Sequence, residues 1–204
     1  TGELLERQWR AREAIRTRGF WFLTVAHMAA MIVGGGFGVH RIPFFLDRGL
    51  ADAWVGPVLI VHAVGMLVGG FVAAWLMGLI PHRFVIALSM LGASASMGLA
   101  LIVPPDAPIV VFTFMESAAF GGVFAMIPVV YADYFGRESI GTIRGLTHPM
   151  VVAANAVGPL FAGVVFDASG GAYTWALLGF SLVLGVGAAC ACLAFPPSLP
   201  VDSA

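Results

Sequence analysis

Six polar side chains sit where the surrounding sequence is almost wholly apolar: His27, His40, Arg41, His62, Glu116 and Asn155. An ionisable group at the centre of a lipid-embedded helix costs about 2.5–3.5 kcal/mol on insertion scales. Such groups therefore turn toward a bundle interior or a wet cavity and mark ion or solute paths. Glu116 and His62 carry the most obvious chemistry. Each lies about 10 Å from the outer end of its apolar stretch at 1.5 Å per residue, so the two can share a depth. Burial disfavours the charged form of both groups, and an imidazole already titrates near neutral pH. Together they could exchange a proton coupled to solute movement. The alternative is a structural Glu116, hydrogen-bonded across helices.

The other members of the set have two readings each. His40 and Arg41, near the outer end of their stretch, could offer positive charge to an anionic solute, or Arg41 could snorkel to the headgroups. His27 belongs to the solute path or is a packed donor between helices. Asn155 lies on the path or glues helices, as membrane amides do. A second polar group, Asp133, Arg137, Glu138 and Arg144, sits at a stretch end. Asp133 and Arg137 have the i, i+4 spacing of a helical ion pair. With Arg144 they could latch a cytoplasmic gate, or simply form a solvated loop. Catalysis finds no foothold. Ser94 and Ser96 lack a His at helical spacing, and no HExxH, DxxxD or CxxC is present. Cys190 and Cys192, two apart, face different directions on a helix. The expectation is no enzyme, no cofactor and no metal, with a membrane enzyme or an assembly scaffold as the alternatives.

The elements that must hold these side chains are membrane spans. A hydrocarbon core about 30 Å thick needs about 20 helical residues per crossing. Apolar stretches at 20–45, 54–79, 84–103, 109–135, 146–166 and 173–195 satisfy this, which predicts an all-α integral membrane protein of six helices. Hydrophobic residues make up 60% of the 204 and charged residues 10%, where soluble domains carry about 25% charge. Mean hydropathy is +0.96. A net charge of −1 offers no basic face to nucleic acid. All ten basic residues are Arg, and eight (Arg7, Arg10, Arg12, Arg16, Arg18, Arg83, Arg137, Arg144) precede the first span or join spans two–three and four–five. Arg-rich short loops stay cytoplasmic, so both termini are expected inside, in a plasma or bacterial inner membrane. Residues 1–19 read as an interfacial linker, with a helix over 3–18 anchored by Leu4, Leu5, Trp9 and Ile15. Residues 196–204 read as a cytoplasmic tail.

A repeat runs through the chain. HAVGMLVGG (residues 62–70) aligns with NAVGPLFAG (155–163), and Gly36, Ile42 and Pro43 correspond to Gly121, Ile127 and Pro128. Two units of three spans each must run in opposite directions, an arrangement found in secondary transporters with the solute path between repeats.

YADYFGRESIGTIRG (131–145), NAVGPLFAGVVFD (155–167) and FGVHRIPFFLDRGL (37–50) together resemble the C-terminal half of major facilitator superfamily transporters. The nearest branch is the monocarboxylate and oxalate–formate-like one. The resemblance implies helices seven to twelve of twelve, a missing N-terminal six-helix half as partner, a small organic anion as substrate and alternating access by rocking halves. Gly78 and Leu79 stand where the superfamily's loop signature places Asp and Arg. Span two offers only His62, and span five begins with His148, where organic-anion carriers of the branch place an Arg and another basic residue. An oxalate-like dianion is disfavoured on that ground. No nucleotide-binding motif appears, so gradients would supply the energy.

Overall fold

The computed structural model describes residues 9–102, 108–138 and 140–197. Among these every regular element is helical: α1 (Ala11–Ala14), α2 (Arg18–Asp47), α3 (Val55–Leu76), α4 (His82–Leu99), α5 (Pro108–Phe135), α6 (Ile140–Ala168) and α7 (Thr174–Leu193), with a 3-10 turn at Asp52–Trp54 before α3. Five helices, α2, α3, α5, α6 and α7, are long and apolar enough to cross a membrane. The third expected span is also helical, as α4 with 18 residues, but its composition leaves it outside the helices apolar enough to cross a membrane.

The breaks follow local chemistry. Thr17 opens α2 by accepting the Phe20 N–H through its hydroxyl, an N-cap that satisfies one of the orphan donors. Asp-Arg-Gly closes it: Gly49 takes φ +88°, and the Leu50 N–H reaches back to the Phe45 carbonyl at 3.0 Å. That left-handed residue is cheap only for glycine. Gly136, at φ +86°, ends α5 in the same way. Four prolines, Pro43, Pro128, Pro149 and Pro159, lie inside helices, where each removes one backbone hydrogen bond.

Three sequence expectations need correction. The helix expected over residues 3–18 shrinks to the single turn α1 within the described part, because Thr17 caps a new helix. Trp9 is not an interfacial anchor but is 3% exposed, its backbone N–H donating to the Phe135 carbonyl. The charged loop expected over 136–144 is shorter, since α6 already starts at Ile140 and carries Arg144. The expected loop residues 104–107, the start of the linker and most of the tail lie outside the described residues.

Packing is organised in pairs. The most extensive contacts join α3 to α5, α2 to α6 and α4 to α7, followed by α4 to α5 and α2 to α7. Exchanging α2, α3 and α4 for α5, α6 and α7 turns four of these pairs into one another and the α4–α7 pair into itself. The two long crossings also close on matching small residues. A Cβ on Gly65 of α3 would strike Ser117 and the Phe114 carbonyl of α5, and one on Gly158 of α6 would strike the Ile32 carbonyl of α2. Without a hydrophobic drive between helices in lipid, such backbone approach is what makes them associate. Aromatic clusters fill the two ends of the bundle: Phe37, Phe44, Phe45 and Phe112 at one, and Trp9, Phe20, Tyr131 and Phe135 at the other.

Gly158→Val should therefore separate α2 from α6 and destabilise the fold by about 2 kcal/mol or more, as overpacking does. Gly163→Val, one helical turn or so beyond and with open space around it, should stay near wild type. Thermal unfolding in detergent, read by helical circular dichroism, compares the two.

Candidate functional site

Near the end of α2 opposite its Arg-rich start, three helices bring charge together inside the bundle. Arg41 lies six residues before the end of α2, and its Nη2 donates to both carboxylate oxygens of Glu116 on α5, at 2.9 and 3.1 Å. The side chains are 8% and 1% exposed. His62 on α3 completes the group, with Nδ1 3.7 Å from the second Glu116 oxygen. That is close enough for electrostatic contact and too long for a hydrogen bond. Its Nδ1 has no hydrogen-bond partner among the described residues, although a quarter of the side chain is exposed. The Arg41 guanidinium also sits 5.2 Å from the Phe37 ring centroid, and its Nε is buried without a partner.

This geometry replaces two of the sequence readings. Arg41 turns inward and does not snorkel. Glu116 lies beside His62, but its direct partner is Arg41, which the sequence places near the outer end of its stretch. A depth count could have found the pair: six residues back from Asp47 is about 9 Å, the same level as Glu116.

His40 is already engaged. Nε2 lies 3.2 Å from the Pro159 carbonyl of α6 and Nδ1 3.2 Å from the Tyr173 hydroxyl. A carbonyl only accepts, so Nε2 carries the proton; in the neutral ring Nδ1 then accepts from Tyr173. His40 thus ties α2, α6 and the turn before α7 together. Asn155 lies at the α2–α6 crossing, its backbone and side-chain oxygens pressed against Gly35. Pro159, four residues on, has no N–H, so the Asn155 carbonyl lacks its helical donor.

Toward the Arg-rich end, His27 on α2 presents a buried Nδ1 without a partner. Nearby, Thr24, 0% exposed, shares a 2.9 Å hydrogen bond with the Tyr131 hydroxyl of α5. Asp133 pairs with His82 at the start of α4, 2.5 Å apart, a partner the sequence did not suggest. The expected helical pairing of Asp133 with Arg137 does not apply, because Gly136 ends α5 between them. Arg144 is exposed on the first turns of α6. No cluster of metal-ligating side chains occurs among the described residues.

Long apolar helices with charges gathered between them are the features of a membrane protein with a polar interior. Residues 12–177 match the model of the MFS_1 like family. The chain belongs to that family. With five helices among the described residues long and apolar enough to cross a membrane, it is a multi-pass membrane protein. It is 30% identical over 140 residues to the uncharacterized MFS-type transporter YfnC of Bacillus subtilis (strain 168), across 67% of this chain and 32% of that protein. The matched stretch is about a third of the relative's length.

Breaking a buried ion pair strands its other member. Arg41→Gln should destabilise the family member by about 3–5 kcal/mol, whereas Arg41→Gln combined with Glu116→Gln should recover most of the loss. Unfolding midpoints of the single and double variants measure the coupling directly.

Proposed function

We propose that this chain is the C-terminal six-helix half of a secondary active transporter that moves a small organic anion by alternating access, together with a proton. A monocarboxylate, carrying one negative charge, fits the single buried guanidinium. Family membership supports the transporter class. The exchange pattern of the helix pairs supports two inverted three-helix repeats, with α4 as the sixth span. On this reading the other six helices close a central cavity against this bundle, and both termini lie in the cytoplasm of a cell with this protein in its plasma or inner membrane. Asp133, Arg137 and Arg144 then belong to the inner gate, where His82 adds a partner to Asp133.

The observation that carries the reading is the Arg41–Glu116 pair with His62 beside it. A substrate carboxylate reaching Arg41 competes with Glu116 for the same N–H donors. Once Arg41 turns to the substrate, the Glu116 charge is stranded in a low-dielectric interior, which is costly unless it takes a proton. A proton taken up at the exposed part of His62 can pass from Nδ1 to the nearer Glu116 oxygen, which leaves the imidazole neutral again. One anion and one proton enter together, and no net charge moves. His27, His40 and Asn155 line the remaining route along α2 and α6.

The complete transporter in proteoliposomes tests this. Under an inward proton gradient, wild type should accumulate a labelled monocarboxylate above equilibrium. Glu116→Gln should lose accumulation yet keep one-for-one exchange, because a neutral side chain no longer needs the proton. Accumulation by Glu116→Gln that still follows the gradient would reject the coupling role.

A further inference from the structure

At the Arg-rich end of the bundle, residues 193–197 leave α7 and run over the starts of α2 and α4. Gly19, in the first turn of α2, touches the Phe195 carbonyl, and the Tyr134 hydroxyl donates to the Ala194 carbonyl at 2.8 Å. Two cavities open beside this strap. One, of about 510 Å³, has Arg18, Phe22, Leu193 and Phe195 in its wall. The other, of about 380 Å³, has His82, Arg83 and Tyr134. Pro196 lines both.

The charge here is one-sided. Neither α2 nor α4 carries an acid in its first turn, although the positive end of a helix dipole favours acids there. Each carries an arginine instead. Among the described residues no carboxylate pairs with Arg18 or Arg83, and the nearby Asp133 is taken by His82. Ring faces hold the Arg83 guanidinium, 3.9 Å from the Phe195 centroid and 4.7 Å from that of Phe84. Its Nε is buried with no acceptor. The rim is apolar: Phe195 and Leu193 are about half exposed.

We propose that Arg18 and Arg83, on either side of Pro196, bind the phosphate of an anionic phospholipid from the cytoplasmic leaflet, with its acyl chains along Phe22, Leu193 and Phe195. Charge complementarity selects the anion, since each arginine near an anionic membrane surface contributes favourably. The apolar wall selects a lipid, because free phosphate would leave it uncovered. The site lies at the opposite end of α2 from Arg41 and does not depend on the transport mechanism.

Native mass spectrometry of the purified full chain in neutral detergent reads the site, with phosphatidylglycerol, phosphatidylcholine and inorganic phosphate as separate probes. Phosphatidylglycerol should be retained and should raise the unfolding midpoint. Phosphatidylcholine and inorganic phosphate should do neither. Arg18→Gln with Arg83→Gln should weaken retention about thirtyfold, taking about a fivefold effect for each charge. Arg18→Lys with Arg83→Lys, which keeps both charges should the Gln pair fail to fold, should retain the lipid, as should Arg48→Gln at the far end. Equal retention of the neutral lipid, an equal effect of inorganic phosphate, undiminished binding by the Gln pair or loss of binding in the Lys pair would overturn the proposal.

Discussion

A guanidinium and a carboxylate removed from water must answer each other, and most of this molecule is arranged around that requirement at Arg41 and Glu116. Taking either ion alone into the interior costs several kcal/mol, and in lipid no water remains to offset it. The pair therefore fixes which faces of α2 and α5 point inward and at what depth. Phe37 closes over the guanidinium from within α2. His62 supplies the third helix, close enough to feel the carboxylate but not bonded to it. On the proposed mechanism, one competing anion at Arg41 unbalances this group and one proton on Glu116 restores neutrality.

The scaffold that holds this charge is built from close crossings of small residues. Gly65, Gly69 and Gly121 let α3 and α5 meet backbone to backbone, and Gly35, Gly36 and Gly158 do the same for α2 and α6. Both crossings therefore depend on residues for which any added carbon is an obstacle. The most buried of the long helices is α5, which carries Glu116 at one end and Tyr131 near the other, so the polar groups at both levels are tied to one rigid element. His40 braces α2 against Pro159 just beyond the second crossing.

Helix positions were legible because apolar runs of spanning length have few other uses. Their ends were legible less well. Asp-Arg-Gly at residues 47–49 closes α2 because glycine supplies the left-handed turn. No proline falls between Ile140 and Arg144, so α6 absorbs residues that their charge suggested were loop. All six site residues were recognisable as polar groups in apolar surroundings, yet apart from His62 beside Glu116 their partners were not. An arginine near a span end reads as a snorkelling residue until the helix is known to continue to Asp47. The bonds of His40 to Pro159 and Tyr173, and of Asp133 to His82, join residues distant in sequence by no periodic rule. Trp9 was read as an interfacial anchor because the sequence gives no sign that the chain folds back against Phe135.

Difference infrared spectroscopy with Glu116→Gln as the reference reports the charge on this one carboxyl group most directly. In wild type at neutral pH without substrate, no protonated-carboxyl band should be assignable to Glu116. Replacing Arg41 by Gln, or adding a monocarboxylate to the complete transporter, should make that band appear. A Glu116 band already present in the resting protein, or one indifferent to the loss of Arg41, would contradict the account.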